Sequence, residues 1–334
     1  SYFQNITGWL FIAAVLALYG LYFLAYNLRA GYPYVSYTLS AISFIMLIAV
    51  PILTMRSMAE ERHSRTDQLV LTAPVSLGKM IFGKFLAMVG VFTVAVAVIA
   101  VTPLVLAAFG TVPMGENYVA VLGFWLYGCT CIAVGMLASA LTESQVIAAV
   151  VAFAFLFLGY MMNSITGLIG DHLITKVLGA YDLYTPLQSF MSGCLDLTGV
   201  VYFVSVTALC LFLTCQCVQK RRWSMTTKKL TTGMFSVAMI VVGFAVAVAV
   251  NMVVKEMPSS WTAVDATSTK LYSLTDTTKD YVKNLSQDVT IYVLSSEKSA
   301  DSTLAETLQR YEDLSKHLNV VYKDPAKSPN FYQQ

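Results

Sequence analysis

Seven apolar stretches free of Asp, Glu, Lys, Arg and His fall at residues 8–26, 37–55, 85–109, 118–141, 145–169, 197–218 and 231–254. At about 1.5 Å per helical residue, each is long enough to cross a hydrocarbon core of about 30 Å. In that medium every backbone N–H and C=O must be paired inside the segment, which commits the chain to a helical, polytopic membrane fold. Composition agrees: 57% of residues are hydrophobic and 12% charged, against about a quarter charged in a soluble domain.

Net charge is only +2, but its distribution orients the chain, because short loops rich in Lys and Arg stay on the cytoplasmic side. One basic group is Arg56, Arg62, Arg65, Lys79 and Lys84; the other is Lys220, Arg221, Arg222, Lys228 and Lys229. Both loops are therefore expected inside. The opposite loops are poor in bases, which gives a cytoplasmic N-terminus and an external C-terminal region.

Between the second and third stretches lies MRSMAEERHSRTDQLVLTAPVS, residues 55–76, charged and helix-forming. A segment that dips into water between two spans, with Glu60, Glu61, Arg62, Arg65 and Asp67 together, suits contact with a soluble partner. The plainer reading is a solvated face held by local ion pairs worth a few tenths of a kcal/mol each. His63 reads either as a partner contact or as an incidental loop histidine. Glu143, beside Thr142 and Ser144 in a tight inner turn, suits the positive end of the helix that follows; a second partner contact is the alternative.

Several chemistries find no footing. Secondary transporters place ionisable groups at mid-membrane, and the spans carry none. The string Gly78–Phe85 resembles a phosphate-binding loop, yet it ends in Phe85 where Mg²⁺ binding needs Ser or Thr, and it runs straight into a span. Cys129, Cys131, Cys210, Cys215 and Cys217 lie in spans, where a thiol packs as a small apolar group. Their Cys-x-Cys spacing has no His or carboxylate nearby to complete a zinc site, so no metal site, catalytic constellation or nucleic-acid surface is expected. Asn163 and Ser164 either line a path or hydrogen-bond between helices.

Along the chain, Pro51 and Pro103 fall inside the second and third stretches, where a missing N–H bends a helix. Residues 171–196 are of mixed polarity, with Leu187, Phe190 and Met191 on one helical face, and are expected to lie on the membrane surface or re-enter it. Past Val254 the composition turns polar. Val289, Ile291 and Val293 alternate with Thr290, Tyr292 and Leu294 as in a strand; Leu304, Leu308 and Tyr311 follow helical spacing; residues 319–322 read as another strand. A β-α-β unit of two strands rarely stands alone, so this module is expected to be incomplete. The expected division is 1–223 for the membrane domain, 224–254 for an inner linker and an extra span, and 255–334 for an external α/β module.

The 55–76 segment resembles the signature of type-2 ABC exporter permeases, in particular the gliding-motility-associated family: Met55-Arg56, the acidic pair Glu60-Glu61 followed by Arg62, then Thr66, a Leu-rich turn and Thr72-Ala73-Pro74-Val75-Ser76. Arg65 and Gln68 depart from it, standing where a Gly and an acidic residue are common. Residues 190–223 are similar to the last span of that family. Residues 271–296 resemble the outer domain of its companion subunit, so the chain looks like a permease fused to its companion's N-terminal part.

The resemblance implies that residues 55–71 form a coupling helix. Glu60, Glu61, Arg62, Thr66, Asp67 and Leu69 would dock an ATPase subunit present in two copies, with ATP and Mg²⁺ held by that partner and no cofactor in this chain. It implies a self-dimer or a pairing with a related permease in the prokaryotic inner membrane, and export of a substrate. The rival readings are an energy-transducing scaffold that works on cell-surface machinery without substrate flux, and, more weakly, a secondary transporter.

Overall fold

The computed structural model describes residues 6–63, 76–169, 179–223, 229–255, 257, 262–267, 276–285, 287–295, 302–312 and 314–323. Among the described residues, six helical stretches are long and apolar enough to cross a membrane. They are built from α1 (Ile6–Phe23) with a π-helical continuation Leu24–Arg29, α2 (Ser36–Thr54) with α3 (Arg56–His63), α4 (Leu77–Ile99) with α5 (Thr102–Ala107), α6 (Met114–Leu141), α7 (Gln145–Ile169), and a later helix Leu197–Trp223. The protein is a multi-pass membrane protein. A further helix, Lys229–Lys255, follows with an apolar part at Ala238–Val254.

Boundaries differ from the sequence expectation where helix geometry outruns hydropathy. The third crossing begins at Leu77, so Lys79 and Lys84 fall within its first two turns. The fourth begins at Met114 and takes in Glu116. Pro103 does interrupt the third crossing: α4 ends at Ile99, and Pro103 sits in the first turn of α5, where its missing N–H costs nothing.

Helix α6 is the axis of the bundle; 89% of its apolar window is buried, against 28% for α7. Small residues let its neighbours close in. A Cβ at Gly123 would stand 2.3 Å from the Phe190 Cβ, at Gly128 2.2 Å from the Phe92 ring, and at Gly135 2.2 Å from Thr54 Oγ1. The polar groups of α6 are used across these contacts. Tyr127 donates to the Ser43 carbonyl at 3.2 Å, and Thr130 meets the Phe203 carbonyl at 3.2 Å and Thr207 Oγ1 at 3.0 Å.

At the Met114 end of α6, two buried asparagines shape the connection between α1 and α2. Asn117 accepts from Val35 N–H at 2.8 Å and donates to the Pro33 carbonyl at 3.0 Å. Asn27 donates to the carbonyls of Tyr32 and Tyr34 and accepts from Thr38. Helix α8 (Tyr184–Met191) inserts here, with Leu187 and Phe190 fully buried. The helical face read from sequence therefore packs into the bundle, and residues 170–178 lie outside the described part.

Strand β1 (Cys194–Asp196) follows, then α9, the helix Leu197–Trp223, and α10, the helix Lys229–Lys255. These two run side by side, with Asn251 Nδ2 donating to Ser205 Oγ at 2.7 Å and Gly243 facing Phe212. Strand β2 (Ala263–Asp265) then returns to pair antiparallel with β1, Cys194 opposite Asp265. Gly193, at φ +83°, makes the turn into β1, and its carbonyl accepts from Ala266 N–H. The segment after α10 is thereby stitched to the bundle.

The C-terminal part contains α11 (Asp276–Lys283), β3 (Val289–Val293), α12 (Ser302–Glu312) and β4 (Leu318–Tyr322). β3 and β4 pair in parallel, from Val289 opposite Leu318 to Val293 opposite Tyr322, so the β-α-β unit read from the alternation is present. Arg310 of α12 reaches toward β1, its Nη2 lying 3.8 Å from Cys194 Sγ.

Candidate functional site

Helix α3 sits where α2 leaves the bundle. Two features weaken the helical ladder at that point: Pro51 lacks an N–H, and the Thr54 hydroxyl bonds back to the Val50 carbonyl at 3.0 Å. The short helix beyond is two-faced. Ser57, Met58 and Ala59 are buried against the bundle, whereas Arg56 and Glu60 are exposed and Glu61 is half-buried.

Two side chains from other helices hold the buried face. Ser139 of α6 accepts from Met58 N–H at 3.1 Å and Ala59 N–H at 3.0 Å, and donates to the Met55 carbonyl at 3.0 Å. Lys84 of α4 donates to the Ser57 carbonyl at 3.0 Å and pairs with Glu61 Oε2 at 2.5 Å. The string that resembles a phosphate loop is thus the helical start of α4, and its second lysine is engaged with α3.

Of the residues singled out in the sequence, Glu60 and Glu61 lie on α3. Glu143 lies in the turn between α6 and α7, four residues past Ser139, so the structure gathers all three carboxylates at one end of the bundle. Arg62 also belongs to α3, with its side chain outside the described part; Thr66, Asp67 and Leu69 lie outside the described residues. The helix expected over residues 55–71 is described only as Arg56–His63. Asn163 is half-buried and Ser164 exposed toward the far end of α7. All six cysteines are free thiols, five of them in α6 and α9.

Sequence reading missed Ser139, Gly135 and the inward turn of Lys84. The available signal was the pair Gly135 and Ser139, small residues four apart on one helical face, a spacing that lets helices approach closely.

Opposite this site, the carbonyl of Ala266, next to β2, lies against Gly115 at the start of α6; a Cβ there would be 2.6 Å from it. Gly115 and Ser139 are 24 residues apart on one helix, or about 36 Å. Helix α3 and the β1–β2 pair therefore stand at opposite ends of α6.

The family model for ABC-2 family transporter proteins matches residues 29–218, from the last residue of the π-helical continuation of α1 through most of α9. The chain belongs to the ABC-2 transporter family. It is the membrane permease component of an ABC transporter, a class of membrane subunit that generally works with an ATPase partner. Residues 268–334 match a second model, a domain of unknown function, DUF7088. Searches of curated proteins and of solved structures find no match to the chain.

Proposed function

We propose that this ABC-2 permease takes up the work of ATP hydrolysis through α3 and uses it for export. Glu60, Glu61, Arg62, Thr66, Asp67 and Leu69 form the docking surface for an ATPase subunit, and Glu143 supplies a second contact. ATP and Mg²⁺ belong to that partner. Two permeases, identical or related, work with two ATPase subunits in a prokaryotic inner membrane. The N-terminus and α3 are cytoplasmic, and the C-terminal module is outside. The domains divide after residues 223 and 254, and the chain is a gliding-motility-associated permease joined to part of its companion.

The observation that carries this reading is the two-faced build of α3: Met58 and Ala59 are fixed to α6, while Arg56 and Glu60 face away at the end of the bundle. Glu60 is the discriminating probe. Glu61 is paired with Lys84, so replacing it disturbs the anchorage of α3 as well as its outer face. Glu60→Lys is expected to reach the membrane at normal abundance and to lose its ATPase subunit, since a like-charge contact at an interface costs several kcal/mol. Co-purification and ATP turnover in nanodiscs measure this, and wild-type values for both would refute docking through α3.

A second reading has its own support. The β1–β2 pair and the Arg310–Cys194 approach tie the C-terminal module to the permease, as suits a lever acting on outer machinery without substrate flux. ATP turnover in sealed vesicles with no accumulation of any solute would favour that lever.

A further inference from the structure

The joint between α2 and α3 is built around a side chain from a third helix. An unbroken helix through this region would pair Met58 N–H with the Thr54 carbonyl and Ala59 N–H with that of Met55. In the structure both amides point to the Ser139 hydroxyl, which bridges them to the Met55 carbonyl. A hydroxyl has one proton and two lone pairs, so these three bonds saturate it.

Met55 stands where α3 would take its N-cap, and its thioether offers no oxygen; the serine of α6 supplies one instead. Ser139 is fully buried. A side chain inserted into the ladder is one of the few recognised causes of a sharp helix bend. One turn earlier on α6, Gly135 leaves room for Thr54 to lie directly on the helix.

The geometry points to Ser139 as the positioning residue that fastens the docking helix to α6, so that a push on α3 displaces α6 instead of folding at Met55. This rests on the docking reading above. Because α6 also meets Ala266 at Gly115, a displacement received at Ser139 has a direct route to the segment that carries the C-terminal module. Without the hydroxyl, the Met58 amide loses its acceptor and α3 loses the side chain that fastens its first turn to α6.

The test is amide hydrogen exchange on the full chain in nanodiscs, comparing wild type with Ser139→Ala and Ser139→Thr. In Ser139→Ala the α3 amides are expected to exchange at least tenfold faster, and Ser139→Thr, which keeps the oxygen, to stay near wild type. Unchanged exchange in Ser139→Ala overturns the proposal. The second arm is Mg·ATP turnover by the chain with the ATPase subunit that purifies with it, expected to fall at least fivefold in Ser139→Ala and to be rescued in Ser139→Thr. Faster exchange with wild-type turnover overturns the positioning role. A wild-type chain that carries no ATPase subunit sinks the docking reading, while exchange still decides whether Ser139 holds α3. Should Ser139→Ala fail to reach the membrane, Ser139→Cys replaces it, since its sulfur is a weak acceptor of nearly the same size; exchange in α3 as slow as in wild type would then overturn the proposal.

Discussion

Lys84 and Glu61 pair across α4 and α3 at 2.5 Å, with the lysine 19% and the glutamate 33% exposed. Water screens such a pair in part, so its net contribution is at most about 1 kcal/mol. Its value is geometric, because Lys84 also donates to the Ser57 carbonyl and so ties the third crossing to two successive turns of α3. Lys84→Met is expected to lower thermal stability slightly and Glu61→Gln to do so less, since the bond to Ser57 remains. A double-mutant cycle in detergent checks this: a coupling energy of zero between the two sites would show the pair to be incidental.

Ser57 presents the reverse case. Its hydroxyl is buried with no hydrogen-bond partner among the described residues. Burying an unpaired hydroxyl costs about 1–3 kcal/mol, so replacing it with a group that needs no partner is favourable or neutral. Ser57→Ala is expected to melt at or above the wild-type temperature with the Lys84 contact to the Ser57 backbone intact. A drop of several degrees would mean that the hydroxyl has a partner.

What was legible in the sequence follows from how local each signal is. Span length is a property of consecutive residues, so the six crossings found among the described residues all appear among the seven apolar stretches of the sequence, the seventh corresponding to the shorter apolar part Ala238–Val254; the strand alternation around Ile291 was legible too. The charges of α3 were visible for the same reason. Ser139 was not, because one hydroxyl in an apolar run does not say which distant backbone it meets. Lys84 sat at the edge of a hydropathy window, where nothing distinguishes a lysine reaching for lipid headgroups from one turned toward Glu61. The β1–β2 pair joins three-residue strands on either side of α9 and α10, too short to carry a periodic pattern. Leu187 and Phe190 showed their shared face but not their depth, which Gly123 and Gly199 set by making room for the Phe190 ring.

Gly115 is where the C-terminal segment rests on α6. Any side chain there would overlap the Ala266 carbonyl, since a Cβ would approach it to 2.6 Å. Backbone cannot yield as a flexible side chain can, so Gly115→Val is expected to lift β2 from β1 at a cost of about 1–3 kcal/mol, the usual range for overpacking. Faster exchange at residues 194–196 and 263–265, with α3 unaffected, is the expected signature. Unaltered protection in both strands would show that the β1–β2 pair stands without this seat.

Sidedness is the last prediction, and it joins charge to geometry. In the sequence the basic residues Arg56, Arg62, Arg65, Lys79 and Lys84 fall from the start of α3 to the first turns of α4, and a second basic group runs from the end of α9 to the start of α10; segments so rich in bases are retained in the cytoplasm. Ser139 and Gly115, 24 residues apart on α6, separate that end from the β1–β2 pair by about 36 Å, enough to span a hydrocarbon core of about 30 Å. The C-terminal module is therefore expected on the external side. Lys316, exposed ahead of β4, and Glu143, exposed in the α6–α7 turn, are the probes. On intact cells a membrane-impermeant maleimide is expected to label Lys316→Cys and to spare Glu143→Cys, which reacts only after permeabilisation, with the wild-type chain as control for its own six thiols. Labelling in the opposite order would place α3 outside, where no ATPase reaches it, and would end both the topology and the docking reading.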